Sequence, residues 1–420
     1  MKLRTLLTIP AACMLAVASP WAISPALAAS DADLTQLREQ IKELREGYEA
    51  RLRALEGRVL AAEAAARAAP TTTTAAPQAT TAEAPTGRRD NRFNPAVSLV
   101  LSGTYAHLQR DPATWGLSGF ETGDAEIGPG NKGLSLGESE ITFTANIDPW
   151  WYGALTMAVT PEDEVEVEEA YVQTTALSHG LSVKAGRFFS GLGYLNEQHA
   201  HVWDFIDAPL AYQALLGGQL GQDGVQVKWL APTDQYLQFG AEVGRGATQD
   251  NGAGNAVLFA KLGGDVGDSH SWQVGASHLW QRGLATGEEE TPWDGRQRTW
   301  AIDGVWKWAP LGNAKVNHFK LQGEYFMGDR GEQGDGSGWY LQGVYQFAPG
   351  WKVGLRQDQL DSDRADHQPQ RTSVMLDWAL SEYSRWRVQF NQDRARPDVS
   401  DRQLYLQYQM SLGAHGAHGF

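Results

Sequence analysis

The stretch AVSLVLSGTYAH, residues 96 to 107, alternates apolar and polar side chains with a period of two. Val97, Leu99 and Leu101 fall on one face of an extended chain, whereas two serines and a threonine fall on the other. This period is typical of a β-strand with one apolar face, because successive side chains of a strand point to opposite sides. The stretch therefore predicts a strand whose two faces meet different environments.

The same alternation recurs to the end of the chain, for example in SEITFTANI at residues 139 to 147. Counting every such run predicts about sixteen strands, most of them about ten residues long, which is the length that a tilted strand needs to cross a bilayer. The predicted strands are 96–107, 134–147, 151–160, 165–176, 181–189, 221–230, 236–245, 255–265, 271–281, 298–308, 317–328, 337–347, 351–359, 370–379, 385–394 and 402–412.

The connections separate a membrane barrel from a soluble β-sandwich, whose strands would also alternate. Short connections such as APG at 348–350 take turns with long ones such as 108–133, 190–220 and 282–297. Short turns at one rim and long loops at the other are typical of an up-and-down outer-membrane barrel. Aromatic residues flank the short turns and predict an interfacial girdle. They are Trp150, Trp151, Trp229, Tyr236, Trp272, Trp306, Trp308, Phe347, Trp351, Trp378 and Trp386.

The N-terminal segment indicates export. Lys2 and Arg4 precede an apolar run that ends in Ala26-Leu27-Ala28, a pattern typical of a secretory signal peptide over residues 1–28. The single cysteine would leave with that peptide, so we expect no disulfide or thiol chemistry. Removing the two basic residues takes the formal net charge from −15 to −17, which argues against nucleic acid as a partner.

Two further segments precede the strands. Residues 29–67 place apolar side chains at three- and four-residue spacings, with one interruption, and predict a periplasmic coiled coil with one stutter. A single amphipathic helix lying on another surface is the alternative. Residues 68–92 are rich in Thr, Ala and Pro and predict a low-complexity linker. The predicted barrel occupies residues 93–420.

The C-terminal end carries a third signal. Counting back by two from Phe420 gives a mostly apolar face through Leu412, Met410, Tyr408 and Leu406. With its strand count and alternating connections, the range 93–420 resembles Gram-negative outer-membrane porins, whose last strand typically ends in Phe as an assembly signal. The resemblance implies an all-β transmembrane barrel of about sixteen antiparallel strands.

Residues 168–210 and the tail MSLGAHGAHGF look more narrowly like a group related to phosphate-selective porins. Members of this group are sometimes labelled zinc-regulated, TonB-dependent outer-membrane receptors. The chain departs from the receptor label because 420 residues with this many strands leave no room for a plug domain. It departs from the phosphate porins because it is acidic and shows no obvious ladder of arginines.

The third long loop, residues 190–220, folds into the barrel and narrows the pore in the porins that the chain resembles. It contains NEQHAHVWDFID, residues 196 to 207, in which Glu197, His199, His201 and Asp204 are candidate ligands for a transported or transiently bound Zn²⁺. The alternative is that the two histidines hydrogen-bond the inner wall and hold the loop in place. No resident cofactor is expected.

Strand parity also predicts the charges of the lumen. Glu164, Glu166 and Glu168 alternate with valines and should face the water, and Glu169 breaks the alternation, which indicates a bulge or a protein-facing position. Acidic and basic walls would create a transverse field across the pore; solvated faces without a role in selectivity are the alternative. The predicted basic wall consists of Arg356, Arg371, Arg385 and Arg387.

These patterns favour a homotrimeric porin in the outer-membrane lipid that passes small polar or ionic solutes by passive diffusion, with a possible link to divalent metal uptake. A phosphate- or anion-selective porin is one alternative, and a ligand-binding receptor or adhesion protein without channel activity is another. Strand parity brings no serine, histidine and aspartate together at one rim, so we do not expect an enzyme. The coiled coil is expected to assist trimerisation or to reach the peptidoglycan.

Overall fold

The computed structural model describes residues 95–413 except 121–126, 161–163, 247–252, 283–295 and 332–333, together with the isolated Lys42. The chain divides into two compact units, Met1–Gly87 and Arg88–Phe420, and the fold described below belongs to the second. The predicted signal peptide, coiled coil and linker lie outside the described residues, as does the C-terminal Phe420.

The second unit is one closed antiparallel sheet in which each strand pairs with its neighbours in the chain and the first pairs with the last. The first strand pairs with two consecutive extended segments, Gly133–Leu136 and Ser139–Asn146, which we treat as one interrupted strand. The described residues then form sixteen strands. They are β1 (Ala96–Leu108), β2 (Gly133–Leu136 with Ser139–Asn146), β3 (Trp151–Val159), β4 (Val165–Thr174), β5 (Leu181–Phe189), β6 (Gly221–Leu230), β7 (Tyr236–Gly244), β8 (Asn255–Val266), β9 (His270–Arg282), β10 (Arg296–Trp308), β11 (His318–Asp329), β12 (Asp335–Ala348), β13 (Trp351–Ser362), β14 (Gln370–Ser381), β15 (Ser384–Arg394) and β16 (Asp401–Gly413).

The two faces of each strand differ as the sequence predicted. On β16, Leu404 and Leu406 point outward and are 43% and 40% exposed. Gln403 and Tyr405, which alternate with them, point inward and are buried. Outward apolar side chains on every strand would be unfavourable in water and suit the hydrocarbon of a bilayer. Among the described residues, every strand has a hydrogen-bonded neighbour on both sides, as a lipid environment requires.

Two irregularities turn acidic side chains toward the interior. Gly103 of β1 lies opposite Leu136 of β2, and Val100 of β1 lies opposite Glu140 of β2. Between these two pairs, β2 therefore contains one residue more than β1. In β4, Thr156 lies opposite Glu169 and Met157 opposite Val167, which makes Glu168 the extra residue of a bulge. The bulge predicted from the broken alternation at Glu169 is therefore confirmed.

Aromatic residues gather at the rim of the short turns, as predicted. Trp351 stacks on Trp378 with ring centroids 5.2 Å apart, and Trp386 lies 4.6 Å from Tyr408. The turn between β12 and β13 is tight: Gly350 has φ +77°, and a side chain there would lie 2.6 Å from a backbone oxygen of β14. An aromatic belt of this kind marks the boundary between membrane and water.

The described part of the chain contains one α-helix, α1 (Leu210–Leu216), and the 3₁₀ turns Pro112–Thr114, Ala200–Val202 and Pro310–Gly312. None of these helices has the length and the apolar composition needed to cross a bilayer. Helix α1 ends where Gly217 adopts a left-handed conformation with φ +69°, which is a common helix terminator.

The topology makes a direct prediction. An epitope inserted after Asp366, an exposed residue in the long connection between β13 and β14, should be labelled by antibody on intact cells, because that rim should face the outside. The same epitope inserted after Pro349, in a short turn, should be labelled only after the outer membrane is disrupted. The reverse labelling pattern would contradict this orientation.

Candidate functional site

Residues 190–220, called loop 3 below, connect β5 to β6 and fold into the barrel. Their backbone amides donate to carboxylates on widely separated strands: Gly191 to Glu242 of β7 at 2.8 Å, and Leu195 to Glu324 of β11 at 2.9 Å. Leu210 donates to a carboxylate of β13 at 3.0 Å. The expectation that the third long loop enters the lumen is confirmed by these contacts.

Apolar packing holds loop 3 against one side of the wall. Leu192, Leu210 and Tyr212 of the loop are fully buried against Phe326 of β11 and Leu360 of β13. Burying one such side chain contributes roughly 1.5–3 kcal/mol. The loop therefore fills the lumen beside β8 to β13, and the open space lies on the opposite side of the barrel.

One carboxylate organises the first half of the loop. Glu324, fully buried on β11, accepts hydrogen bonds from the backbone amides of Tyr194 and Leu195 at 3.2 and 2.9 Å. It also accepts from the hydroxyl groups of Tyr212 and Tyr340 at 3.0 and 2.7 Å. Four donors converging on one acceptor fix the path of the loop at this point.

A second carboxylate anchors the other half. Asp207 lies 2.8 Å from the guanidinium of Arg356 and 2.6 Å from that of Arg371. Burial would raise the pKa of Asp207, but the two arginines outweigh it and hold the pKa below its ordinary value. Both arginines face the interior as predicted, yet they are only 1% and 0% exposed. The expectation that they line the open pore is therefore wrong, because loop 3 covers them.

Two of the four predicted metal ligands lie elsewhere. Glu197 forms ion pairs with Lys228 and, at 2.8 Å, with Lys261, and Asp204 forms one with Lys320 at 2.5 Å. Burial would raise the pKa of each carboxyl group, but the neighbouring lysines lower it below the ordinary value. The predicted set does not form a single site, because these two carboxylates attach loop 3 to lysines of the wall.

The two histidines contact the wall on the other side. His199 Nδ1 lies 3.1 Å from Glu168 Oε2, and its Nε2 lies 3.0 Å from Glu169 Oε2. His201 Nδ1 lies 2.6 Å from Glu140 Oε1, and the backbone oxygen of His201 accepts a hydrogen bond from Arg385. The interpretation that the histidines hydrogen-bond the inner wall is confirmed.

The protonation of His199 follows from these contacts. Burial would lower its pKa, but hydrogen bonds with Glu140, Glu168 and Glu169 raise the pKa well above the ordinary value. Each ring nitrogen of His199 faces a carboxylate oxygen, an arrangement that stabilises the doubly protonated ring, in which both nitrogens donate. His199 lies 3.2 Å from Glu140 Oε2 as well, so one carboxylate contacts both histidines.

Sequence reasoning missed two members of this cluster, Glu138 and Glu140. Glu140 is 2% exposed, and its oxygens lie close to His199, His201, Glu138 and Glu168. The signal was present in the stretch GESE at 137–140, where the two glutamates share a parity. Their contact with the loop could not be read from the sequence because it joins positions about sixty residues apart.

The open lumen is a space of about 670 Å³ beside loop 3. Glu166 and Glu168 border it on one side and Arg387 borders it on another. Glu164 lies ahead of β4 and is exposed, outside the lining of this space. Arg385 points inward and donates to Gln409 at 2.9 Å. Part of the predicted acidic row and part of the predicted basic wall therefore face the same cavity.

A second set of charges was predicted only in part, through Arg385 and Arg387. Within the described ranges, inward basic side chains gather in the half of the barrel next to the short turns, one or two on a strand. Glu197, Asp204 and Asp377 pair with five of them. The set, called the basic ring below, consists of Lys184, Lys228, Lys261, Lys307, Lys320, Lys352, Arg385 and Arg387.

No protein-family model matches the chain. A protein of Aquifex aeolicus (strain VF5), described as uncharacterized, is 29% identical over 385 residues, which cover 78% of this chain and 80% of that protein.

Solved porin structures share the fold at low sequence identity. The trimer form of OmpT, an outer membrane protein of Vibrio cholerae, is 11% identical, with a TM-score of 0.52 over 76% of this chain and 99% of its own. OprB of Pseudomonas putida is 14% identical, with a TM-score of 0.51 over 76% and 94%. An anion-selective porin from Comamonas acidovorans is 11% identical, with a TM-score of 0.50 over 76% and 99%. With its apolar exterior and closed sheet, the chain has the fold of Gram-negative outer-membrane porins and is a β-barrel protein of the outer membrane.

Proposed function

We propose that the protein is a porin through which small polar or ionic solutes diffuse passively. The observation that carries the proposal is the position of loop 3, which fills one side of the lumen and leaves a polar space of about 670 Å³ on the other. A pore that is narrowed but not closed passes solutes by size and charge. Divalent metal ions are among these solutes, since histidine and glutamate side chains border the path.

The charges beside this space support selection by electrostatics. Glu166 and Glu168 approach from β4, and Arg387 approaches from β15. Opposite charges on two sides of a narrow space create a transverse field, which orients polar solutes and disfavours apolar ones. The acidic residues outnumber the basic ones along this lining, so we propose a preference for cations.

An anion-selective porin is the second candidate, and the basic ring favours it. The ring brings eight cationic side chains to the half of the lumen next to the short turns, and three carboxylates form ion pairs with five of them. A solute that crosses the pore meets the acidic lining beside loop 3 and the basic ring in turn. The two candidates differ in which zone determines the reversal potential.

Recordings in planar lipid bilayers test the channel and its selectivity together. The refolded full-length protein should give stepwise conductance, and a potassium chloride gradient should give a reversal potential on the cation side. Glu166→Gln should weaken the cation preference, because it removes a charge beside the path, whereas Glu164→Gln should leave it unchanged.

Two outcomes would contradict the proposal. A reversal potential on the anion side, abolished by Lys307→Gln with Lys352→Gln, would establish the second candidate instead. Folded barrels that show no conductance steps would favour a ligand-binding receptor or an adhesion protein.

We also propose that the protein is a homotrimer, as supported by the trimer form of the Vibrio cholerae neighbour. The coiled coil predicted for residues 29–67 would assist trimerisation or reach the peptidoglycan. Chemical crosslinking of the native protein in outer-membrane vesicles, with and without these residues, tests both contributions.

A further inference from the structure

We propose that the constriction binds one divalent transition-metal ion through His199, His201 and Glu140, with Glu138 and Glu168 as adjoining ligands. This inference rests on the proposed function, since the ligands border the solute path. It replaces the ligand set expected from the sequence, in which Glu197 and Asp204 completed the site.

The ligand atoms are already close together. One nitrogen from each histidine and one oxygen of Glu140 lie within 4.8 Å of one another. Tetrahedral coordination at the usual zinc distances needs ligand atoms about 3.4 Å apart. Small side-chain rotations therefore complete the inner set, and the backbone of loop 3 does not have to move.

A second group of ligands shares Glu140. Oxygens of Glu138, Glu140 and Glu168 also lie within 4.8 Å of one another. The two groups together bring three carboxylates and two imidazoles, contributed by β2, β4 and loop 3, to one wall of the lumen. Ligands from three separate elements can approach one ion from different directions, which ligands of a surface cluster do not.

The surroundings of Glu138 favour a cation. One of its carboxyl oxygens lies within 4.8 Å of carboxyl oxygens of both Glu140 and Glu168. Two carboxylates in contact repel each other unless they share a proton or bind a cation between them. Glu169 adds a further negative charge on the far side of His199. A divalent ion would neutralise this cluster more fully than the proton on His199 does.

The donor set indicates the class of ion. Imidazole nitrogens with carboxylate oxygens suit Zn²⁺ and its neighbours in the first transition series, whereas Mg²⁺ and Ca²⁺ prefer oxygen alone. The ion would join loop 3 to β2 and β4 by coordination bonds and would occupy the edge of the open lumen. Bound zinc should therefore reduce the current through the pore.

The test compares zinc with magnesium on single channels of the full-length protein. We expect micromolar ZnCl₂ to lower the wild-type conductance, a chelator to restore it, and MgCl₂ at the same concentration to have no effect. In parallel, calorimetry in detergent should detect one zinc ion for each chain. Glu140→Gln and His201→Ala should each weaken binding by at least about tenfold, as ligand losses do.

Two matched controls isolate the site. His367→Ala removes a histidine of the long-loop rim, and His270→Ala removes one at the start of β9; both positions lie outside the cluster. Both controls should keep the zinc response of the wild type. Zinc binding that survives Glu140→Gln and His201→Ala, or that is lost in a control, would overturn the assignment. Conductance without zinc is measured in the same recordings, so failure of the metal site is distinct from failure of the porin proposal.

Discussion

Replacing Asp207 by alanine is expected to raise the single-channel conductance several-fold and to destabilise the folded barrel. The substitution leaves Arg356 and Arg371 buried without the carboxylate that lies 2.8 and 2.6 Å from them. Removing one partner of a buried ion pair costs up to about 3–5 kcal/mol. The cost here should lie below that range, because Arg356 keeps Asp358 at 2.9 Å and Arg371 keeps Asp393 at 2.7 Å. Loop 3 should then leave the wall near β13 and β14, and the lumen should widen. Planar-bilayer recordings measure the conductance, and the midpoint of heat-induced unfolding on electrophoretic gels measures the stability.

The matched control for this prediction is Asp223→Ala. Asp223 pairs with Arg187 at 2.7 Å, and the two side chains are 40% and 47% exposed. An exposed ion pair contributes at most about 1 kcal/mol, so this variant should keep the wild-type conductance and nearly its stability. If Asp207→Ala folds and conducts like the wild type, loop 3 is held by its apolar contacts rather than by this carboxylate.

Glu324→Ala is expected to destabilise the folded barrel at least as strongly as Asp207→Ala. It leaves two backbone amides of loop 3 and two tyrosine hydroxyls without the acceptor they share. A buried polar group left unsatisfied costs about 1–3 kcal/mol, so four of them should lower stability by at least about 4 kcal/mol. The yield of heat-resistant barrel after refolding should fall sharply, and the surviving channels should fluctuate between conductance levels.

Tyr340→Phe provides the graded control for Glu324. It removes one donor to Glu324 at 2.7 Å and the acceptor of a hydrogen bond from Gln322 at 2.6 Å, and it leaves the other three donors to Glu324 in place. Its cost should be about 1–3 kcal/mol, and its channels should be steady. Equal behaviour of the two variants would mean that the carboxylate does not organise the loop.

The strands were predictable from the sequence because the alternation of faces is a local signal. Every predicted strand end lies within three residues of the end in the structure. The bulge in β4 was also readable, since Glu169 follows Glu168 where a valine or alanine would keep the alternation. The entry of loop 3 into the lumen depended on counting strands and on the resemblance to porins.

The partners of the loop were not predictable, because they depend on register around the whole barrel. His199 and His201 were identified, but their shared wall partner Glu140, with Glu138 beside it, lies about sixty residues earlier in the chain. Glu197 lies two residues before His199, and Asp204 lies three residues after His201. They point to lysines of other strands instead, since inward lysines there need counter-charges.

The two contacts of His201 also bear on how the barrel wall opens. Its ring contacts Glu140 of β2 and its backbone oxygen contacts Arg385 of β15, so this residue bridges the two strands that flank β1 and β16. The pairing of β1 with β16 is the seam at which the cylinder closes. Separation of β1 from β16 must also break the contacts of His201. Opening of the seam and release of loop 3 from the wall are therefore one cooperative event. The loop that narrows the pore thereby raises the barrier to lateral opening, and the wall resists mechanical strain at the place where a closed sheet is otherwise easiest to separate.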